Sequence, residues 1–210
     1  MLEFKNVSKT YPYEKYALIE DLSFTVSENE TAGIVIEPQW GKTTVAKLIA
    51  GLQKPSGGEI LLDGKPLEQT PPQERGIVII YDTFALMKGR KFWVNAAYTL
   101  KIRKVKKRER KAAAIEALQK FELNENGRVT KKTPDADKLA LVLARASLRE
   151  ARLVIFDDVF KKAECDTAKR LIRLLDVPTQ IYLSSEVKEL SFCDKIVIVT
   201  DGKDITDNEE

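Results

Sequence analysis

Residues 35–52 read VIEPQWGKTTVAKLIAGL, and their second half is a candidate for phosphate chemistry. In a loop of the form G-x-x-x-x-G-K-[ST], successive backbone N–H groups point inward at phosphates and the glycines permit the required turns. The lysine reaches the β- and γ-phosphates, the hydroxyl holds Mg²⁺, and the helix N-terminus favours negative charge. Gly41, Lys42, Thr43 and Thr44 supply that second half. The first half is different: Ile36 takes the first glycine position, Pro38 has no N–H, and Gln39 and Trp40 are bulky where backbone must approach a ligand closely. Two readings stay open, an anion site or a plain helix start with Thr43 and Thr44 as caps and Lys42 exposed. Trp40, by size and position, is expected to fill the space that phosphates would otherwise take.

A second candidate is the pair Asp157-Asp158, which closes the apolar run RLVIF. Adjacent carboxylates disfavour one another's charge unless a cation or hydrogen-bond donors lie close, so Asp157 either faces a metal or acts as a cap. The chain has no histidine, which removes histidine-based metal, base and switch chemistry. Cys165 and Cys193 have no C-x-x-C or metal-like spacing and are expected as buried, reduced thiols. The stretch KIRKVKKRERK, Lys101 to Lys111, has the charge for nucleic acid or anionic lipid, but no aromatic residue interleaves to stack bases. A solvated helix face or linker is the preferred reading, with no nucleic-acid partner.

The elements that must position these residues follow from periodicity. Short alternating apolar runs between Leu2 and Val35 predict antiparallel strands leading to a more buried one. TTVAKLIAGL has helical spacing, and Asp63-Gly64 between two apolar runs predicts a tight hairpin turn with positive φ. GIVIIYD reads as a buried strand, Val94 to Phe121 as a helix-favouring stretch broken by charge, and Asp135 to Leu148 as a helix. ARLVIFDD, TQIYLSS and CDKIVIVTDG alternate with the helical DTAKRLIRLL, the pattern of a covered parallel sheet. A chain of 210 residues, 43% hydrophobic and 32% charged with formal net charge +3, is expected to form one compact unit, and its charge names no partner. MLEFKNVSKTY carries no signal pattern and no apolar run spans a membrane, so a cytosolic location is expected.

Taken in order, VSKTYPYEKYALIEDLSFTV, GKTTVAKLIAGLQKPSGGEILLDGKPL, LARASLREARLVIFDD and CDKIVIVTDGKDI resemble the ATP-binding subunits of ABC transporters over nearly the whole chain. The resemblance implies an α/β fold: a P-loop ABC-ATPase-like core with a mostly parallel sheet, an N-terminal antiparallel β lobe and a helical insert. Residues 1–210 then form one such domain, with the β lobe at about 1–30 and 57–80, the insert at about 84–148 and the core completed by 149–210.

By the same resemblance Tyr11 stacks on adenine, although a tyrosine in a β lobe is more often ordinary packing. Gly41, Lys42, Thr43 and Thr44 bind the nucleotide, Thr43 and Asp157 hold Mg²⁺, and Asp158 stands in the place of the catalytic glutamate. Asp158 is one methylene shorter, which withdraws its oxygens from the attacking water and makes it a poor general base. Other family positions also depart. Gln39 replaces the loop's middle glycine, Tyr81 the Mg²⁺-sensing glutamine, Thr133 to Asp137 the L-S-G-G-Q signature, and Ser185 the switch histidine. Each composite site would pair one subunit's loop with the other's signature, so a homodimer or a heterodimer is impaired alike.

The expected function is therefore a pseudo-ATPase, a structural or regulatory member of a membrane transporter complex. It would bind ATP and Mg²⁺ weakly or not at all. Its partners would be a membrane-embedded subunit and a second ABC ATPase subunit, holding it at the inner face of the membrane. Phe84, Leu86, Met87, Phe92 and Trp93 are read either as the docking surface or as packing. The alternatives are an active transport ATPase using Lys42, Thr43, Asp157 and Asp158, and a soluble scaffold.

Overall fold

The structure is a computed structural model that describes residues 1–161, 165–200 and 203–204. It divides into two compact units, Met1–Ile79 with Arg152–Asp158 and Pro178 onward, and Ile80–Ala151 with Val159–Val177.

In the first unit, β1 (Leu2–Lys9) and β2 (Ile19–Val26) pair antiparallel, with Phe4 opposite Phe24 and their rings stacked at 4.4 Å. Alternation puts Leu2, Phe4, Leu22, Phe24 and Val26 on the buried face, as half-covered antiparallel strands require. After β3 (Thr31–Ile36) and the helix α1 (Lys42–Ile49), β4 (Gly57–Leu62) pairs with β1. It turns into β5 (Lys65–Pro66) through Asp63 and Gly64, at φ 53° and 73°, the two left-handed residues expected of the hairpin.

Among the described residues the second sheet runs in the order β10-β9-β3-β8-β7-β6. Its strands are β6 (Ile77–Tyr81), β7 (Leu153–Asp157), β8 (Thr179–Ser184), β9 (Lys195–Thr200) and β10 (Lys203–Asp204). β3 is parallel to both β8 and β9, and β7 is parallel to β8. The continuous apolar character of β3 and β7 follows, because both faces are covered. β6 was expected to be buried but is the edge strand, with Val78, Ile79 and Tyr81 only partly covered. Asp201 and Gly202 of the closing stretch lie outside the described residues.

Both ends of α1 are fixed by packing. At the start Gly41 has φ 76°, and a Cβ there would lie 2.7 Å from Leu18 Cδ2. At the end the guanidinium of Arg75, 6% exposed, donates through Nη1 to the carbonyls of Ala50 (2.9 Å) and Gly51 (2.8 Å) and through Nε to Thr70 (2.8 Å). A cation among the last carbonyls satisfies orphan acceptors and complements the helix dipole.

In the second unit, α2 (Phe92–Ala96), α3 (Tyr98–Ile102) and α4 (Lys107–Lys120) lie before α5 (Asp135–Ser147) and α6 (Cys165–Arg173). The helix-favouring stretch before Phe121 is thus broken at Arg103 to Lys106. Phe84 and Phe92 are buried, which gives packing to these two, while Leu86, Met87 and Trp93 stay half-exposed. Phe84 and Ala85 both adopt left-handed backbone, φ 58° and 44°, and Arg145 holds the pair by donating to both carbonyls at 2.8 and 3.0 Å. Cys165 and Cys193 are not joined in a disulfide, as expected, but are half-buried rather than buried.

Replacing Arg75 by Met keeps the aliphatic volume and strands three carbonyl acceptors, so stability falls by about 2–4 kcal/mol. A lowered urea midpoint on the whole chain reads this; an unchanged midpoint would show that α1 does not depend on the guanidinium.

Candidate functional site

The candidate site is built by β3, α1, β7 and the ends of β7 and β8, all within the first unit. Residues Glu37 to Trp40 close a turn in which the Trp40 N–H donates to the Glu37 carbonyl at 3.2 Å. Pro38 in its second place and Gln39 at φ 85° in its third are the marks of a type II turn, whose third place ordinarily takes glycine. The glycine conformation is therefore present without the glycine, at a cost of about 1–2 kcal/mol. Pro38 has no N–H, and that of Trp40 is engaged in the turn. The Trp40 ring packs, half-buried, against the hydrophobic core of this unit.

Lys42 is not exposed, contrary to the helix-start reading; its side chain is 11% accessible. Its Nζ lies 2.8 and 2.7 Å from the two carboxylate oxygens of Asp158 and donates to Ser185 Oγ at 2.5 Å. The group beside the ammonium is thus a carboxylate. Asp158 reaches it from the turn after β7 at φ 54°, its N–H bound to the Leu183 carbonyl at 3.1 Å. Ser185, at the switch-histidine position, is one of the lysine's partners.

Thr43 does not cap α1 with its side chain. The N-cap is Gly41, with no side-chain cap bond. Thr43 Oγ1 instead donates to Asp157 Oδ2 at 2.9 Å, and Asp157 is 5% exposed. A hydroxyl and a carboxylate are hard oxygen donors of the kind that hold Mg²⁺ together with phosphate oxygens and water, so the pair fits that ion. Among the described residues no three His, Cys, Asp or Glu side chains gather into a metal cluster.

Tyr11 meets the same helix. Its hydroxyl bonds Thr44 Oγ1 at 3.0 Å and donates to Gln53 Oε1 at 2.9 Å, and Lys9 Nζ stands 5.4 Å from the ring centre. Partial burial raises the phenol pKa, but the bonds to Thr44 and Gln53 and the charges of Lys47 and Lys9 outweigh it, leaving the value below the usual one. Gln53 and Glu37 were missed in the sequence. Glu37 was legible, since Pro after it is the second residue of a turn; Gln53 gives no signal, being placed by the chain's return after α1.

The remaining candidate positions belong to the second unit. Thr133 is 8% exposed and accepts the Thr130 N–H at 2.9 Å, closing the turn into α5. Pro134 is the N-cap of α5, and Asp135 and Asp137 occupy its first turn, where carboxylates suit the dipole. Asp135 pairs with Lys138 at 2.7 Å. Tyr81 ends β6 and its carbonyl accepts the Phe84 N–H at 2.9 Å.

Comparison with known proteins agrees with this architecture. The family model described as ABC transporter matches residues 19–161. The sn-glycerol-3-phosphate import ATP-binding protein UgpC of Bordetella avium (strain 197N) is 28% identical over 96% of this chain and 58% of its own length. The spermidine/putrescine import ATP-binding protein PotA of Haemophilus influenzae is 27% identical over 97% and 56%. The chain spans less than two thirds of the length of these curated relatives. Among solved structures, the dimeric ABC transporter cassette MJ0796 superposes with a TM-score of 0.83 at 21% identity, covering 98% of this chain and 97% of that one. A post-hydrolysis state of the same cassette, bound to ADP and Pi, gives 0.84. With its parallel sheet, antiparallel β lobe and a family match across most of its length, this chain belongs to the ABC transporter family and carries that family's ATP-binding domain.

Proposed function

We propose that this chain is a catalytically degenerate ATP-binding subunit, a pseudo-ATPase that serves a membrane transporter complex as a structural or regulatory member. The observation that carries the reading is the ion pair of Lys42 with Asp158, backed by Ser185. One contact engages both the cation that would bind the terminal phosphates and the carboxylate that would activate water. A triphosphate entering beside Lys42 must displace an anion already there, and it finds fewer backbone amides to help, because of Pro38 and the Glu37–Trp40 turn. Thr43 and Asp157 would hold Mg²⁺, which when bound neutralises charge between the outer phosphates. The membrane-embedded partner, a second ATPase subunit and a place at the inner face of the membrane belong to the same proposal. The names of the relatives support an importer, without fixing its substrate.

A second reading, an active ATPase, is favoured by one observation. The 2.9 Å bond between Thr43 and Asp157 keeps the two Mg²⁺-binding side chains together.

Steady-state phosphate release separates the two. Purified protein is expected at the background rate, equal to Lys42→Ala; turnover dependent on Lys42 would overturn the proposal in favour of the enzyme. Mg-ATP binding, followed by Trp40 fluorescence in a Trp93→Phe background, is expected to be weak and to strengthen roughly tenfold in Asp158→Asn, about the 1.4 kcal/mol of a weakened competing ion pair. Unchanged affinity in that variant would mean that the carboxylate does not compete with phosphate. Replacing Pro38, Gln39 and Trp40 by Ser, Gly and Ala in a Trp93→Phe background is expected to tighten binding further by isothermal calorimetry, since a backbone N–H returns at position 38 and the indole bulk is removed.

A further inference from the structure

We propose that the basic turn joining α3 to α4 is a contact surface for the anionic headgroups of a lipid bilayer, a property separate from whatever the nucleotide site does. Lys101 to Lys111 holds eight Lys and Arg residues and a single acid, Glu109. All eight are exposed except Arg110, which is half-buried and pins the turn by donating to the Val105 carbonyl at 3.3 Å.

The turn is built rather than loose. The Arg103, Lys104 and Val105 amides bond to the carbonyls of Thr99, Lys101 and Leu100 at 3.1, 3.1 and 3.0 Å, and Lys104 takes left-handed backbone at φ 60°. Among the described residues the segment makes one salt bridge to an acid elsewhere, Arg103 to Glu150 at 3.6 Å, which is open to solvent on both sides and neutralises little. With the backbone of the turn fixed in this way, the cationic side chains gather one sign of charge in a short segment.

Apolar side chains in the same place decide between partners. Ile102, at the end of α3, is 64% exposed and Tyr98, one turn earlier, 41%. An exposed aliphatic side chain has nothing to gain from a nucleic-acid backbone, whereas at a bilayer surface it enters the boundary of the acyl chains while lysines reach headgroups and a tyrosine sits between. Five of the eight cations are lysines, point charges suited to scattered headgroups rather than to paired recognition of one phosphate. Charge complementarity and the aliphatic wedge together select the anionic bilayer.

The test is co-sedimentation of the full chain with vesicles of phosphatidylcholine alone or mixed with phosphatidylglycerol, across a salt series, beside a duplex and a single-stranded oligonucleotide. The expected result is binding to the mixed vesicles only, weakened by salt. Each cation removed near the surface lowers the partition about fivefold, so Lys104→Gln, Lys106→Gln, Lys107→Gln and Arg108→Gln together lose more than about a hundredfold. Ile102→Ser is expected to lose several-fold at every salt concentration, and the exposed pair Lys131→Gln and Lys132→Gln to lose far less than the four. All these side chains are exposed, and circular dichroism checks that each variant is folded. Binding equal on both vesicle types, no difference between the four-residue variant and the parent, a control pair as damaging as the patch, or capture of oligonucleotide without vesicles would each overturn the proposal.

Discussion

An ammonium group on a side chain that is 11% accessible must have a counter-charge inside the protein, and most of the candidate site can be read from which one Lys42 takes. Withdrawing such an ion from water costs several kcal/mol, which only close pairing and added hydrogen bonds offset. Asp158 with both oxygens and Ser185 with its hydroxyl provide that pairing. Binding of any other anion at this place is then an exchange, whose free energy is the difference between two ion pairs and not the whole of one. Loops of this type ordinarily add several backbone amides to the incoming side of that balance. Here a proline and a self-bonded turn subtract from it.

What periodicity controls was legible in the chain. The hairpin at Asp63-Gly64, the helix after Gly41 and the parallel strands are set by local pattern, and the structure has them where the pattern put them. Pattern does not say which strand ends a sheet, so β6 looked as buried as β7 and is an edge. Which of the two readings of Lys42 holds was not legible, for a related reason. Its partners lie 116 and 143 residues away, and nothing in the composition around the lysine announces them. The same holds for Gln53, which becomes visible only once the Tyr11 hydroxyl is seen to bond both it and Thr44.

Charge is unevenly distributed in a way that totals conceal. A formal net charge of +3 suggests a nearly neutral surface, yet eight of the 35 Lys and Arg residues fall within Lys101 to Lys111. Partner readings drawn from the whole-chain sum treat those residues as solvation. Carried by the end of α3, the turn and the start of α4, with Ile102 exposed among them, they concentrate one sign of charge in a short segment, which is a different physical object.

The Gly-Lys-Thr-Thr sequence is commonly taken as the sign of a nucleotide, but here each of the four residues has a partner within the protein. Gly41 is required by a left-handed backbone pressed against Leu18, and Lys42 is the counter-charge of Asp158. Thr43 bonds Asp157, and Thr44 is held by Tyr11. The far end of α1 is secured by Arg75, whose acceptors are helix and loop carbonyls. None of these interactions needs a phosphate. The fold can therefore stand on the same residues whether or not a nucleotide is turned over, and it follows that the presence of the motif argues for the shape of this domain and leaves its chemistry to be decided by the loop in front of it.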